Sequence, residues 1–476
     1  MAEEAGVRLS YTDGMKKWFD DFKTKKTGLV LGGGGARGCY EIGAWKALDE
    51  AGIHFDVVAG TSIGALVGAI YTQQTIEPLL EFVEHIHPGQ IAQDMFTFPE
   101  SLGELVKNRK EISGFLDKYI WSRTGADITP LRDAVHRMFD YHLFHESDIN
   151  FACMTFNVTR REAEAYFKDQ MNEHNAEDII LASASCYPAF PMTKMNGDDY
   201  IDGGYWDNVP VDLAARMGAE KILAFDVEGP GVIQPVLHSL DVFMVKPMLP
   251  IANFLDFSQA SCMRDLKIGY LETCKLLEKY LGYLYTFNDE QESDMVFTEE
   301  YLKFMFEVNR IQLSNDQAEQ IVKKVVGYHP SSLSRLSHEN YFYGELVEAL
   351  AYLAGIEPVK IWNYRHFLLE LVRKLDAIQL DKRMGHPKDM VKWMRSLSRI
   401  ELVSVIHWMM KKEGSVTGKA MQGIAVLFSS EYLLACVWYF LAQVYERFLP
   451  RISQTSEEND PFSMTETEKE NRREDA

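Results

Sequence analysis

The segment Gly60-Thr61-Ser62-Ile63-Gly64 has the pattern G-x-S-x-G, which can expose a nucleophilic serine at a sharp turn between a strand and a helix. The preceding residues, FDVVAG, are predicted to form a strand, and the following residues, ALVGAIYTQQ, a helix. Gly60 and Gly64 remove side chains that would collide in such a turn. The pattern alone is common by chance, but this context makes Ser62 a candidate nucleophile.

A glycine-rich loop, LGGGGARG, follows the first predicted strand. Gly33, Gly35 and Gly38 fit the G-x-G-x-x-G pattern of dinucleotide-binding proteins. That pattern also needs an acidic residue about 20 positions further on, at the C-terminal end of the second strand. Asp56 lies at the start of that strand instead. The geometry for binding an adenosine ribose is therefore wrong, and a nucleotide-binding oxidoreductase is kept only as an alternative function.

The same loop is better suited to an oxyanion hole. Successive glycines at the end of a strand leave backbone N–H groups free and let a substrate approach closely. The N-terminus of the following helix adds positive potential. Donors of this kind stabilise the negative oxygen that forms when an ester carbonyl is attacked.

The turn Asp202-Gly203-Gly204 supplies a candidate base for Ser62. Two glycines after an aspartate let the backbone turn sharply and expose the carboxylate, although an ordinary turn is the alternative. Apolar neighbours predict that the turn lies near the sheet, where desolvation would make the carboxylate more basic. His238 and His329 fit the chain order of a Ser-His-Asp hydrolase but carry no local motif.

Three motifs in one order resemble the patatin-like phospholipases: G-G-G-x-R-G in GLVLGGGGARGCYEIGAWKALDEAGI, G-x-S-x-G in VVAGTSIGALVGA, and D-G-G in YIDGGYWDNVPV. The segment ASASCYPAFPM at 182–192 is also similar to the family's sequence before the D-G-G turn. The resemblance covers roughly residues 28–230 and does not extend to the C-terminal half.

The resemblance implies a serine lipid acyl hydrolase that acts on phospholipids or neutral glycerolipids with a Ser-Asp dyad, no histidine, no metal and no cofactor. Ser62 would attack the acyl carbonyl, and Asp202 would accept its proton and later activate water. The loop Gly33, Gly34 and Gly35 would bind the oxyanion, and Arg37 would balance charge near the site or the substrate's phosphate. The remaining motif glycines are Gly38, Gly60, Gly64, Gly203 and Gly204.

Strands and helices alternate from residue 28 to about 230, which predicts a mostly parallel sheet covered on both faces. Within it, INFACMTFNV and AEAYF are predicted to form a strand pair, AEDIILASAS a helix and AEKILAFDVEG a strand. The family resemblance implies a three-layer α/β/α arrangement for this part. From about residue 235, apolar residues recur at three- and four-residue spacing, which predicts a mostly α-helical C-terminal region without comparable strands.

These patterns divide the chain into an N-terminal lead-in (1–27), a patatin-like catalytic domain (28–234), a helical region (235–453) and a disordered acidic tail (454–476). The helical region could cap the site, contact a membrane or bind a partner. A non-catalytic lipid-binding or scaffold protein is therefore a further alternative.

The 476 residues carry a net charge of −21, which argues against a nucleic-acid partner and against electrostatic attachment to anionic lipid. A peripheral membrane contact would then depend on apolar insertion. The six cysteines form no close cluster, which favours free thiols in a reducing compartment. The absence of an apolar leader and of a spanning run predicts a cytoplasmic location; no oligomeric state is predicted.

Overall fold

The computed structural model describes residues 18–19, 24–93, 126–236, 240–288, 346–378 and 390–448. The predicted acidic tail and most of the predicted lead-in lie outside these residues. Contacts divide the chain into two units. The first contains Met1–Pro247, Ile251–Leu277 and Ser331–Leu333, and the second contains Met248–Pro250, Glu278–Pro330 and Ser334–Ala476.

The first unit contains an eight-stranded sheet with the order β5-β6-β3-β2-β1-β7-β8, in which β4 also pairs with β3. The neighbours β3/β2, β2/β1, β1/β7 and β7/β8 are parallel. The pairs β3/β4, β3/β6 and β5/β6 are antiparallel. The mostly parallel sheet and the predicted strand pair are thus confirmed. The strands are β1 (Thr27–Leu31), β2 (Val57–Thr61), β3 (Asn150–Asn157), β4 (Glu162–Phe167), β5 (Thr193–Met195), β6 (Asp198–Asp202), β7 (Lys221–Phe225) and β8 (Asp241–Val245).

Helices cover both faces of this sheet, because side chains alternate along each strand. Val30 of β1 belongs to the apolar cluster that includes Leu213 and Ala214 of helix α7. On the opposite face, Gly68 of helix α2 lies against Val58 and Leu31. The helices of this unit are α1 (Gly38–Glu50), α2 (Ile63–Thr72), α3 (Glu77–Glu84), α4 (Thr129–Met138), α5 (Tyr141–Glu146), α6 (Ala176–Ser183), α7 (Val211–Arg216) and α8 (Gln259–Leu276).

Strand β8 departs from one expectation, because the sequence predicts a mostly helical region without comparable strands beyond about residue 235. Its sequence, DVFMV, is a short apolar run, and such a run does not distinguish a strand from a buried helical segment. Pairing with β7 along its whole length decides the structure.

The second unit is mostly helical in its described residues, as predicted. One of its helices, Arg399–Glu413, shows sequence signals at both ends: Ser398 and Glu401 form a capping box at the start, and Gly414 follows the end with φ +67°. No helix among the described residues has the length and apolar character needed to cross a membrane. The elements are β9 (Thr286–Phe287), β10 (Ile361–Trp362), α9 (Tyr364–Asp376), α10 (Met390–Met394), α11 (Arg399–Glu413), α12 (Lys419–Leu427) and α13 (Ser429–Phe448).

Candidate active site

Ser62 is the single residue between the end of β2 and the start of α2. Its backbone has φ +59° and ψ −126°, a conformation that serine rarely adopts. Such a conformation costs on the order of 1–3 kcal/mol and persists only when its surroundings fix it. The Ser62 N–H donates to the Ser183 hydroxyl at 3.0 Å, and that hydroxyl donates to the Met154 carbonyl at 2.7 Å. Ser183 thus holds the turn, a role that the sequence analysis did not assign.

The two glycines that flank Ser62 allow the backbone to pass through this turn. A Cβ on Gly60 would overlap the Gly64 carbonyl, and a Cβ on Gly64 would overlap the Leu31 carbonyl at the end of β1. Backbone atoms on both sides cannot move aside, so the close approach requires glycine. A Cβ on the other motif glycines would also be crowded: on Gly38 by the Ile63 side chain, on Gly203 by the Met154 carbonyl, and on Gly204 by the Asn208 side chain.

Sheet register brings Asp202 to Ser62. Thr61, the last residue of β2, pairs with Met154 of β3, and Asp202, the last residue of β6, pairs with Thr155. Strand β4 occupies the opposite edge of β3, so β2 and β6 follow one another along the same edge. Both side chains line the same cavity, and the Ser62 hydroxyl is close enough to the Asp202 carboxylate to lower its pKa.

The surroundings of Asp202 make it a stronger base than an exposed aspartate. Its side chain is buried, and burial raises its pKa from 3.8 to about 6, against the opposing effect of hydrogen bonds from Ser62 and from the Gly204 N–H. The Gly204 N–H lies 2.8 Å from Oδ1 and fixes the carboxylate. At neutral pH the group is still mostly ionised, so it can accept a proton.

The glycine loop leaves two N–H groups unused. The Gly33 N–H donates to the Asn208 carbonyl at 3.0 Å, and the Ala36 N–H donates to the Phe254 carbonyl at 2.9 Å. Between them, the N–H groups of Gly34 and Gly35 donate to no group among the described residues. Because the Gly33 N–H already donates to Asn208, Gly34 and Gly35 are the loop residues best suited to donate to an oxyanion.

Asn208 holds this loop from the other side as well, because its Nδ2 donates to the Gly33 carbonyl at 2.9 Å. Asn208 is not among the residues that the sequence motifs predict for the site. Its position six residues after Asp202, in a segment that must reach the glycine loop, was the available signal.

Arg37 binds backbone rather than facing an open anion site. Its Nε donates to the Ala252 carbonyl at 2.8 Å, and its Nη1 donates to the carbonyls of Val227 and Glu228. These bonds hold two segments beside the glycine loop. The structure thus gives Arg37 a positioning role, whereas the resemblance implied a role in charge balance near the substrate.

Ser62, Asp202 and the glycine loop lie at one end of a cavity of about 330 Å³. The cavity follows α2 from Ser62 to Ile70, a distance of about 12 Å at the helical rise per residue. No histidine among the described residues lines it, and His238 and His329 lie outside those residues. Its walls are mainly apolar and include Ile42, Ile63, Leu66, Val67, Ile70, Leu79, Phe82, Val83, Ile86, Leu131, Val135, Met138, Phe139, Ile180 and Phe190.

Comparison with known proteins gives a consistent result for this part of the chain. Residues 29–215 match the family model described as patatin-like phospholipase. Lysophospholipase nte1 of Aspergillus niger is 31% identical over 204 residues, which are 43% of this chain and 12% of that protein. Patatin-like phospholipase domain-containing protein 7 of Rattus norvegicus is 28% identical over 201 residues, 42% of this chain and 13% of that protein. The match thus spans only about one eighth of these relatives.

Among solved structures, VipD from Legionella pneumophila is similar at 13% identity over 91% of this chain and 94% of that chain, with a TM-score of 0.35. ExoU of Pseudomonas aeruginosa, solved with SpcU, is similar at 16% identity over 89% of each chain, with a TM-score of 0.29. These scores are too low to support a conclusion about the whole chain.

Proposed function

We propose that the protein is a serine lipid acyl hydrolase, because residues 29–215 match the family model described as patatin-like phospholipase. The proposed substrates are phospholipids, lysophospholipids or acylglycerols. The proposed catalytic groups are Ser62 and Asp202, with Gly34 and Gly35 as the oxyanion donors.

In the acylation step, the Ser62 hydroxyl oxygen attacks the acyl carbonyl of the lipid ester while the Asp202 carboxylate accepts the hydroxyl proton. The carbonyl oxygen becomes negative and accepts hydrogen bonds from the N–H groups of Gly34 and Gly35. Collapse of this intermediate breaks the ester bond. The leaving alcohol takes the proton from Asp202, and the acyl group stays on Ser62.

In the deacylation step, the oxygen of a water molecule attacks the acyl-serine while Asp202 accepts a proton from that water. The same two N–H groups stabilise the second oxyanion. As the bond between the acyl carbon and the Ser62 oxygen breaks, Asp202 returns its proton to that oxygen, so that the products are a carboxylic acid and free Ser62. The apolar cavity that runs along α2 holds the acyl chain during both steps. By holding the acyl chain, the apolar walls also orient the carbonyl toward the glycine loop.

The observation that carries the proposal is that the Ser62 and Asp202 side chains and the loop of Gly34 and Gly35 line one mainly apolar cavity. The positive φ of Ser62 adds support, since strained residues cluster at functional sites.

The experiment compares wild type with Ser62→Ala and Asp202→Asn in the hydrolysis of a soluble aryl acyl ester. Both variants should lose activity by about three orders of magnitude or more, the loss typical of a removed nucleophile or base, and should keep the wild-type thermal transition. Asp207→Asn is a matched control, because Asp207 is buried in the same turn and accepts bonds from backbone N–H groups of Val209 and Gln234. Full activity in Ser62→Ala would refute the proposal.

Two measurements address the alternatives that the sequence left open. Tight binding in a titration with NAD(P) would support the oxidoreductase. A fluorophosphonate probe should label wild type and spare Ser62→Ala, whereas failure to label folded wild-type protein would support a non-catalytic lipid-binding or scaffold protein.

A further inference from the structure

Four large apolar side chains lie exposed in two adjacent segments beside the D-G-G turn: Tyr205, Trp206, Val232 and Ile233, here called the apolar rim. Each is between 45% and 49% exposed. Isolated exposed apolar residues are normal, but a contiguous group at the edge of a cavity marks an interaction site.

The apolar rim is held rigidly, because hydrogen bonds join its two segments on both sides. The Val232 N–H donates to the Gly204 carbonyl at 2.9 Å, and the Gln234 side chain donates to the Trp206 carbonyl at 2.9 Å. The Gln234 N–H donates to the Asp207 carboxylate at 3.2 Å. The exposed side chains are therefore presented by a fixed backbone, which lowers the entropy lost on binding.

The apolar rim is continuous with the candidate active site. Tyr205 and Val232 also line the cavity that contains Ser62 and Asp202, whereas Trp206 and Ile233 extend the apolar surface away from it. An acyl chain that leaves a lipid layer at this surface would pass over apolar side chains before it reaches Ser62. The transfer of the chain then never requires its full exposure to water.

We propose that the apolar rim docks the protein on the surface of a zwitterionic lipid layer and so delivers lipid to Ser62; this proposal rests on the proposed function. Tyr and Trp favour the boundary between head groups and acyl chains, because their rings are apolar and their polar atoms reach water. The net charge of −21 opposes binding to anionic lipid. Apolar insertion into a neutral interface is therefore the mode that this surface and charge fit.

The test is flotation of the full chain with phosphatidylcholine vesicles, using wild type, Trp206→Ser/Ile233→Ser and the conservative Trp206→Phe. The double variant should bind at least roughly tenfold more weakly, because two interfacial anchors are lost, and Trp206→Phe should keep most of the binding. Leu143→Ser is the matched control: Leu143 is 46% exposed, like Trp206, but lies on α5 and does not line the cavity. It should bind as wild type does.

Activity on the soluble aryl ester separates this proposal from the proposed function. The double variant should hydrolyse that ester at the wild-type rate and lose activity only on vesicle substrate. Wild type that hydrolyses the ester but does not float with phosphatidylcholine would overturn the docking proposal alone. So would equal binding of wild type and double variant, or binding to phosphatidylserine vesicles only. Vesicle binding by wild type without ester hydrolysis would refute the function and leave the docking surface standing.

Discussion

Asn208 binds both backbone polar groups of Gly33: the Asn208 carbonyl accepts the Gly33 N–H at 3.0 Å, and Asn208 Nδ2 donates to the Gly33 carbonyl at 2.9 Å. The next two N–H groups along the loop, those of Gly34 and Gly35, are the proposed oxyanion donors. Asn208 is also only six residues after Asp202 in the chain. One side chain thus links the turn that carries the proposed base to the loop that carries the proposed donors.

Removing this side chain should misdirect the oxyanion donors without emptying the acyl cavity. We expect Asn208→Ala to lower kcat on a soluble ester by roughly 10²-fold, near the effect of losing one oxyanion-hole donor, and to leave KM within about twofold. Steady-state kinetics together with a thermal transition measure both quantities.

Asn208→Asp is the isosteric control, because it keeps the volume but cannot donate to the Gly33 carbonyl. It should lose kcat as Asn208→Ala does. A purely structural role for Asn208 would instead lower the thermal transition and leave kcat of the remaining folded protein unchanged.

The raised pKa of Asp202 predicts the pH dependence of the reaction. Since the base must be ionised, kcat/KM should rise with pH through a midpoint at about 6, so that the value at pH 5 is about a tenth of the plateau. Burial also raises the pKa of Asp207 to about 6, but Asp207 does not line the cavity that contains Ser62 and Asp202. Asp207→Asn should therefore keep the midpoint, and a midpoint that moves in this variant would assign the profile to the wrong aspartate.

The apolar cavity along α2 predicts selectivity for acyl length. Ile70 lines it two helical turns beyond Ser62. Ile70→Trp should block the far end, so that kcat/KM falls more than roughly tenfold for a long-chain ester and little for a butyrate ester, because one bulky ring occupies the space of several methylenes. The ratio of the two kcat/KM values is the readout, since it is independent of the amount of folded protein. An equal loss for both esters would show that the acyl chain lies elsewhere.

Local sequence motifs predict much of the candidate site, but the rest depends on pairing between segments that are distant in the chain. The turn at Ser62 could be predicted because strand, glycine and helix are neighbours in the chain. The contact between Ser62 and Asp202 depends on β2 and β6 meeting the same edge of β3, a register that no local pattern specifies.

The backbone partners of Arg37 could not be predicted for the same reason, because they lie about 190 residues or more away in the chain. The sequence showed only an arginine after glycines, which suits either an anion or a carbonyl. The same limit explains Gly33, whose N–H group is occupied by Asn208.

In the second unit, the ring of His407 stacks on that of Trp438, with centroids 4.2 Å apart. We expect this buried histidine to make the stability of the unit sensitive to acid. Burial lowers the pKa of His407 to about 3, and the positive charge of Lys411 adds to this effect. The folded pKa lies below the ordinary value near 6.5, so His407 does not lower the free energy of unfolding above pH 6.5. As pH falls from 6.5 toward 3, the free energy of unfolding decreases by up to about 1.4 kcal/mol per pH unit.

His407→Phe keeps a stacking ring but cannot be protonated, so its urea midpoint should change less between pH 7.5 and pH 5 than that of wild type. Trp438→Phe retains the titrating histidine and should lose stability in acid as wild type does; parallel losses in wild type and His407→Phe would show that another group governs the acid response.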